Sequence, residues 1–212
     1  MAVHYRSSEE AALKLVATLG DAFALRADLA QDAEVDALIA ELKEKAGGVD
    51  VLVNNAGFNV NAPMLTMKLE DYDRVAAMAR ATWYLSKLVL RRFMLRRGAG
   101  RIINITSVVG HTGNPGQVPY TMVKAGLDAF TKSLSQELAG RDILVNSVAP
   151  GFIDTERTTE LPEEVKAAIL SRIPQQRMGS ADEVADVVAF LATRASYVNG
   201  SVVHVNGGMF GG

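Results

Sequence analysis

Short apolar runs alternate with helical patterns along this 212-residue chain, and that alternation constrains the fold more than any other feature. Ala2–Tyr5 reads as a strand. A helical pattern follows through Leu13, Leu15 and Val16 and stops at Gly20, with Ser7 or Ser8 placed to cap its start and Glu9 and Glu10 in its first turn. Phe23–Arg26 is a second strand. The helix predicted over about Asp32–Ala46 sets Val35, Leu38, Ile39 and Leu42 at helical spacing before Gly47-Gly48 ends it. Residues 49–53, V-D-V-L-V, are expected to form a third, apolar strand. Strands that alternate with helices run parallel and are covered on both faces. The expected class is therefore α/β with a doubly wound parallel sheet.

The pattern continues to the end of the chain. A loop over 58–66 leads into a long helical stretch over 70–97, then a strand over 101–106. A helix is expected over 120–138 and a strand over 142–149. P-G-F-I-D-T at 150–155 is a turn, and 158–176 reads as a loop with a short helix. Ser180 precedes a capped helix over Ala181–Thr193, and 200–208 closes the chain as a strand with a glycine-rich end.

Hydrophobic residues make up 49% and charged residues 22%, a balance suited to one soluble, cytoplasmic globular domain. The net charge of −2 gives no support to a nucleic-acid role. The sequence has no cysteine, which excludes disulfides, thiol catalysis and thiolate metal sites. His4, His111 and His204 are scattered without ligand spacing and read as structural, so no metal site is expected. No apolar run reaches the length of a membrane span.

One stretch concentrates reactive groups. Ser107 follows the strand at 101–106, Tyr120 opens a helix, and Lys124 lies one turn after it on the same face. A phenol titrates near ~10 in water, and an adjacent ammonium favours its ionised form. A tyrosine so placed is a general acid or base near neutral pH. A hydroxyl at the strand end can hold the oxygen that Tyr120 protonates.

Ser107, Tyr120 and the run Y-T-M-V-K to Lys124 resemble the short-chain dehydrogenase/reductase family, with the 3-oxoacyl-(acyl-carrier-protein) reductases of fatty-acid biosynthesis as the nearest likeness. The resemblance implies a Rossmann-like oxidoreductase with Ser107, Tyr120 and Lys124 as catalytic residues. N-N-A-G, with Asn55, Ala56 and Gly57, resembles the family's cofactor wall, although a tight strand-to-loop turn would read the same way. Pro150, Gly151, Ile153 and Thr155 match the segment that holds the nicotinamide. There Ile153 offers backbone groups to the carboxamide, and Thr155 bonds the carboxamide or a phosphate. Asp28 and Leu29 match an adenine contact, and Asp28 also suits a helix N-cap. Tyr5 stands where NAD-using relatives carry an acid. Arg6 beside it suits a 2′-phosphate or is a solvated surface residue, so the resemblance favours NADP(H) over NAD(H).

The sequence departs from the family in two places. No T-G-x-x-x-G-x-G turn occurs, and Ala2–Tyr5 resembles the family's second strand. A domain incomplete at its N-terminus is therefore expected over 1–212. Its first two strands would lack the neighbour that joins them to the third. The family's asparagine in the long helix falls on Met78 or Ala79, neither expected to replace its side-chain hydrogen bond.

The expected function is reduction of a carbonyl, a 3-oxoacyl thioester foremost. The alternative is a catalytically impaired relative that keeps only the shape and the oligomer surfaces. Arg97 and Arg141 match positions that dock an acidic acyl carrier protein, or are solvated helix-end charges. The resemblance also implies a homotetramer or homodimer.

Overall fold

The computed structural model describes residues 1–155, 158 and 162–211. It divides into two compact units, Met1–Asp50 with Arg80–Arg97 and Val51–Ala79 with Gly98–Gly212.

In the first unit, β1 (Ala2–Tyr5) and β2 (Phe23–Arg26) pair in parallel, from Ala2 opposite Phe23 to Tyr5 opposite Arg26. Helix α1 (Glu9–Leu19) joins them. Ser8 stands at its N-cap but makes no side-chain cap bond, so the expected serine cap is positional only. Helix α2 (Asp32–Ala46) buries Val35, Leu38, Ile39 and Leu42, the stripe that the sequence predicts. It ends at Gly47, whose φ of 69° suits a residue without a Cβ and whose N–H bonds the Lys43 carbonyl. The long helical stretch is α3 (Leu69–Val89), continued by a π-helical turn at Leu90–Met94 and by Leu95–Arg97. Its part in this unit reaches α2 through polar pairs. Arg80 takes both oxygens of Asp32 at 2.6 Å, and Tyr84 donates to Asp36 at 2.9 Å.

The second unit holds a four-stranded parallel sheet in the order β3-β4-β5-β6. Its strands are Val51–Asn54, Ala99–Ile105, Asp142–Pro150 and Val202–Val205. Side chains of β4 alternate between faces. Ile103 packs with Val148, Leu191 and Ala195 under the helix α7 (Ala181–Thr193). Asn104 points the other way, toward α5 (Val118–Glu137). There a buried chain of hydrogen bonds crosses the sheet. Asn54 donates to Asn104, Asn104 donates to Thr131 of α5, and the Thr131 and Ser147 hydroxyls share a bond, each at 2.8 Å.

Two expectations change. The third strand is Val51–Asn54 rather than 49–53. It is also not covered on both faces: Val51 and Val53 are 36% and 41% exposed, because β3 ends its sheet and has one strand neighbour. The short helix α6 (Glu163–Leu170) lies in the segment expected at 158–176, of which 159–161 fall outside the described residues. The helix α7 is capped as predicted, by a reciprocal bond pair between Ser180 and Glu183. Among the described residues, no helix is long and apolar enough to cross a membrane.

Candidate active site

The ends of β3, β4 and β5 open into a cleft of about 640 Å3 in the second unit. Ser107 is fixed at the end of β4 by its neighbours: Thr106 N–H donates to the Val148 carbonyl and Val108 N–H to that of Pro150, both at 2.8 Å. The chain then turns into α4 (Val109–Thr112). Gly110 lets this turn lie against α5, since a Cβ there would come within 3.0 Å of the Ala125 nitrogen.

Tyr120 and Lys124 lie one turn apart on α5, as their spacing requires. Pro119 sits in its first turn, where a missing N–H costs nothing. Lys124 is 5% exposed. Its Nζ donates to the Ile105 carbonyl at 2.7 Å and stands 5.5 Å from the Tyr120 ring centre. Burial strips water from the ammonium and lowers its pKa to about 8, while the charge of Asp128 pulls the other way. At neutral pH Lys124 therefore stays a cation. Ser107, Tyr120 and Lys124 line the same cleft.

Around these three the cleft is lined by Asn55 and Gly57 after β3 and by Pro150, Gly151 and Thr155 after β5. Ala56 lies exposed between the first pair. At Gly57 a Cβ would sit 3.5 Å from the Met78 sulfur and 3.8 Å from Lys124 Nζ. At Gly151 a Cβ would meet the Asn206 Cα at 2.8 Å, so only glycine fits. Ile153 forms a parallel bridge with Gly179, fastened by Asp154 N–H to the Gly179 carbonyl at 2.7 Å and Gly179 N–H to that of Phe152 at 3.0 Å.

Arg6, Asp28 and Leu29 belong to the first unit. Arg6 is exposed just past β1. Asp28 Oδ1 accepts the Ala30 N–H at 3.0 Å, and the Glu34 carboxylate takes the Asp28 N–H at 2.8 Å. Gln31, not Asp28, is the N-cap of α2.

The Met78 sulfur accepts the Phe58 N–H at 3.2 Å, a bond other than the one expected to be lost with the family's asparagine. A thioether is a weak acceptor, so sequence alone gives little sign of the bond. His111 and His204 are not scattered: their rings lie 4.8 Å apart, and His111 contacts Asp128 at 2.9 Å. Arg97 pairs with Asp50 and with the Val49 carbonyl. Phe58, Asn59 and Thr106 also line the cleft without having been predicted. Their adjacency to N-N-A-G and to Ser107 was the available signal.

A parallel α/β fold that presents a serine, a tyrosine and a lysine on one strand-end cleft defines a class of oxidoreductase. The chain belongs to the short-chain dehydrogenase/reductase family. A family model described as enoyl-(acyl carrier protein) reductase matches residues 1–210. The chain is 47% identical over 184 residues to the 3-oxoacyl-(acyl-carrier-protein) reductase FabG of Aquifex aeolicus, covering 86% of this chain and 74% of that one. It is 44% identical over 207 residues to the FabG of Haemophilus influenzae, covering 96% and 85%. Nodulation protein G of Rhizobium sp. is 47% identical over 197 residues, covering 92% and 80%.

Proposed function

We propose that the protein reduces 3-oxoacyl thioesters to 3-hydroxyacyl thioesters with NADPH. The convergence of a hydroxyl, a phenol and a buried ammonium on one cleft carries this reading. The lining suits a nicotinamide ribose: Gly57 adds no side chain at the cleft wall, and Lys124 presents a cation there. NADPH bound in the cleft would supply the hydride. Ser107 Oγ–H holds the substrate's carbonyl oxygen. As the carbonyl carbon gains a hydride with its electron pair, its π pair moves to that oxygen, which takes the Tyr120 proton. Lys124 stabilises the resulting phenolate, which regains a proton from solvent. The preference for NADPH rests on Arg6, exposed past β1, and on Tyr5, whose hydroxyl is turned to Glu9 at 3.0 Å.

The description of the matching family model favours a second reading, reduction of an enoyl thioester. Ser107 argues for the carbonyl, since a hydroxyl beside the phenol serves an oxygen that gains charge. The names of the relatives support an acyl-carrier substrate. Arg141, exposed at the end of α5, is the docking cation for an acidic carrier, whereas Arg97 is engaged with Asp50. Self-association follows the exposed apolar residues Leu69, Tyr72, Val118 and Met122 on α3 and α5. The deciding assay follows NADPH oxidation with a 3-oxoacyl and with a 2-enoyl thioester. The 3-oxoacyl thioester should be consumed, and Tyr120→Phe should lower turnover by about 10²–10⁴. Consumption of the enoyl thioester alone would refute the proposal.

A further inference from the structure

Helix α5 carries a second buried charge that the proposed reaction does not use. Asp128 follows Lys124 by one turn on the same face, and the two are 3% and 5% exposed. From α4, His111 brings Nε2 to 2.9 Å from Asp128 Oδ2. The contact has the length of an ion pair without hydrogen-bond alignment, and among the described residues neither Asp128 oxygen accepts a hydrogen bond. His204 of β6 closes on the His111 ring edge-on at 4.8 Å, and Phe210 stacks on His111 at 5.0 Å. A carboxylate is thus buried against one imidazole, which is itself packed on His204 and Phe210, one helical turn from the ammonium in the cleft.

A buried carboxylate is unfavourable unless opposite charge or hydrogen bonds compensate it. The titratable groups that face Asp128 are Lys124 on its own helix, His111 on α4 and His204 on β6. Burial pushes Lys124 down, and Asp128 opposes that push. Burial and His111 push His204 down, and Asp128 opposes that as well. The carboxylate therefore favours the protonated form of Lys124 and of His204. For Lys124 its other described partners are a backbone carbonyl and the Tyr120 ring.

We propose that Asp128, packed against His111, is a positioning residue that keeps Lys124 charged and so sets the upper pH limit of the reaction. It acts through Lys124 and does not touch the substrate. The inference rests on the reading of Lys124 as part of the reaction centre. Lys124 is charged at neutral pH, so the effect falls on the alkaline side.

The test is a pH titration of Lys124 by the NMR shift of its Cε in the full chain, without cofactor, in wild type and in Asp128→Asn. The wild-type midpoint should lie at about 8, and in Asp128→Asn it should fall by on the order of one pH unit. Asp128→Glu, which keeps the charge, should restore most of the shift. Asp128→Ala, which buries no amide, gives the same readout should Asp128→Asn not fold. In NADPH-dependent turnover the alkaline limb of the pH–rate profile should move by the same amount. Equal Lys124 midpoints in wild type and in the uncharged variants would overturn the proposal. A wild type without reductase activity would refute the proposed function, and the titration would still decide the role of Asp128.

Discussion

Each of the two units has its own kind of internal polar tie, exposed in the first and buried in the second. Around α2, the first unit buries an apolar stripe of Val35, Leu38, Ile39 and Leu42, its polar ties such as Arg80 with Asp32 and Arg97 with Asp50 are exposed, and α1 leaves Leu13, Leu15 and Leu19 exposed. Exposed ion pairs add little to stability. The second unit is tied from within, by a buried chain of Asn54, Asn104, Thr131 and Ser147 that anchors α5 to the sheet. Buried, directional bonds fix register more tightly than surface charge does. The proposed reaction centre sits on α5 and on the ends of the strands bonded to it. The residues assigned to the adenine side, Arg6, Asp28 and Leu29, lie in the unit with the smaller sheet.

The largest effect should come from Lys124→Met. Turnover should fall by about 10²-fold or more, and the pH dependence that Lys124 gives to stability should vanish. The sign follows from the depressed pKa. Between about 8 and 10.5 the unfolded chain holds the Lys124 proton and the folded chain does not, so wild-type stability should rise through that window. Chemical denaturation across this range should show the rise in wild type and its loss in Lys124→Met.

Thr131→Val should cost about 1–3 kcal/mol, because Asn104 and Ser147 lose a buried partner. Activity should fall more than stability alone explains if this chain sets the place of α5. Gly110→Ala should cost a similar ~1–3 kcal/mol by overpacking, since the added Cβ meets the α5 backbone. It should lower kcat with little change in the KM for cofactor. In contrast, Arg80→Ala in the first unit should leave the melting temperature nearly unchanged, because the Asp32 pair is exposed. A large drop there would mean that surface pairs matter as much as the buried chain. Amide exchange would extend the comparison, with β1 and β2 expected to open more readily than β4 and β5.

Much of this was legible in the sequence, for identifiable reasons. Helix α2 was readable because its apolar residues repeat at helical spacing, and α7 because Ser180 and Glu183 stand at capping-box spacing. Tyr120 and Lys124 were readable because one turn of helix fixes their relation. The exposure of Val51 and Val53 was not, because an apolar strand does not declare whether it ends a sheet. The meeting of His111, His204 and Asp128 was also hidden. It depends on α4, α5 and β6 packing together, and no local pattern encodes that. The Met78 sulfur escaped because a methionine in an apolar run reads first as core, which it also is.

The central claim is that the cleft at Ser107, Tyr120 and Lys124 binds NADPH as a working reaction centre. The most direct measurement is a titration of the purified chain with NADPH and with NADH, followed by cofactor fluorescence, in wild type and Lys124→Met. Saturable micromolar binding of NADPH, weaker for NADH and weaker again in Lys124→Met, is the predicted result. No saturation with either cofactor up to millimolar concentration would contradict the account and leave the three residues as a scaffold without a reaction.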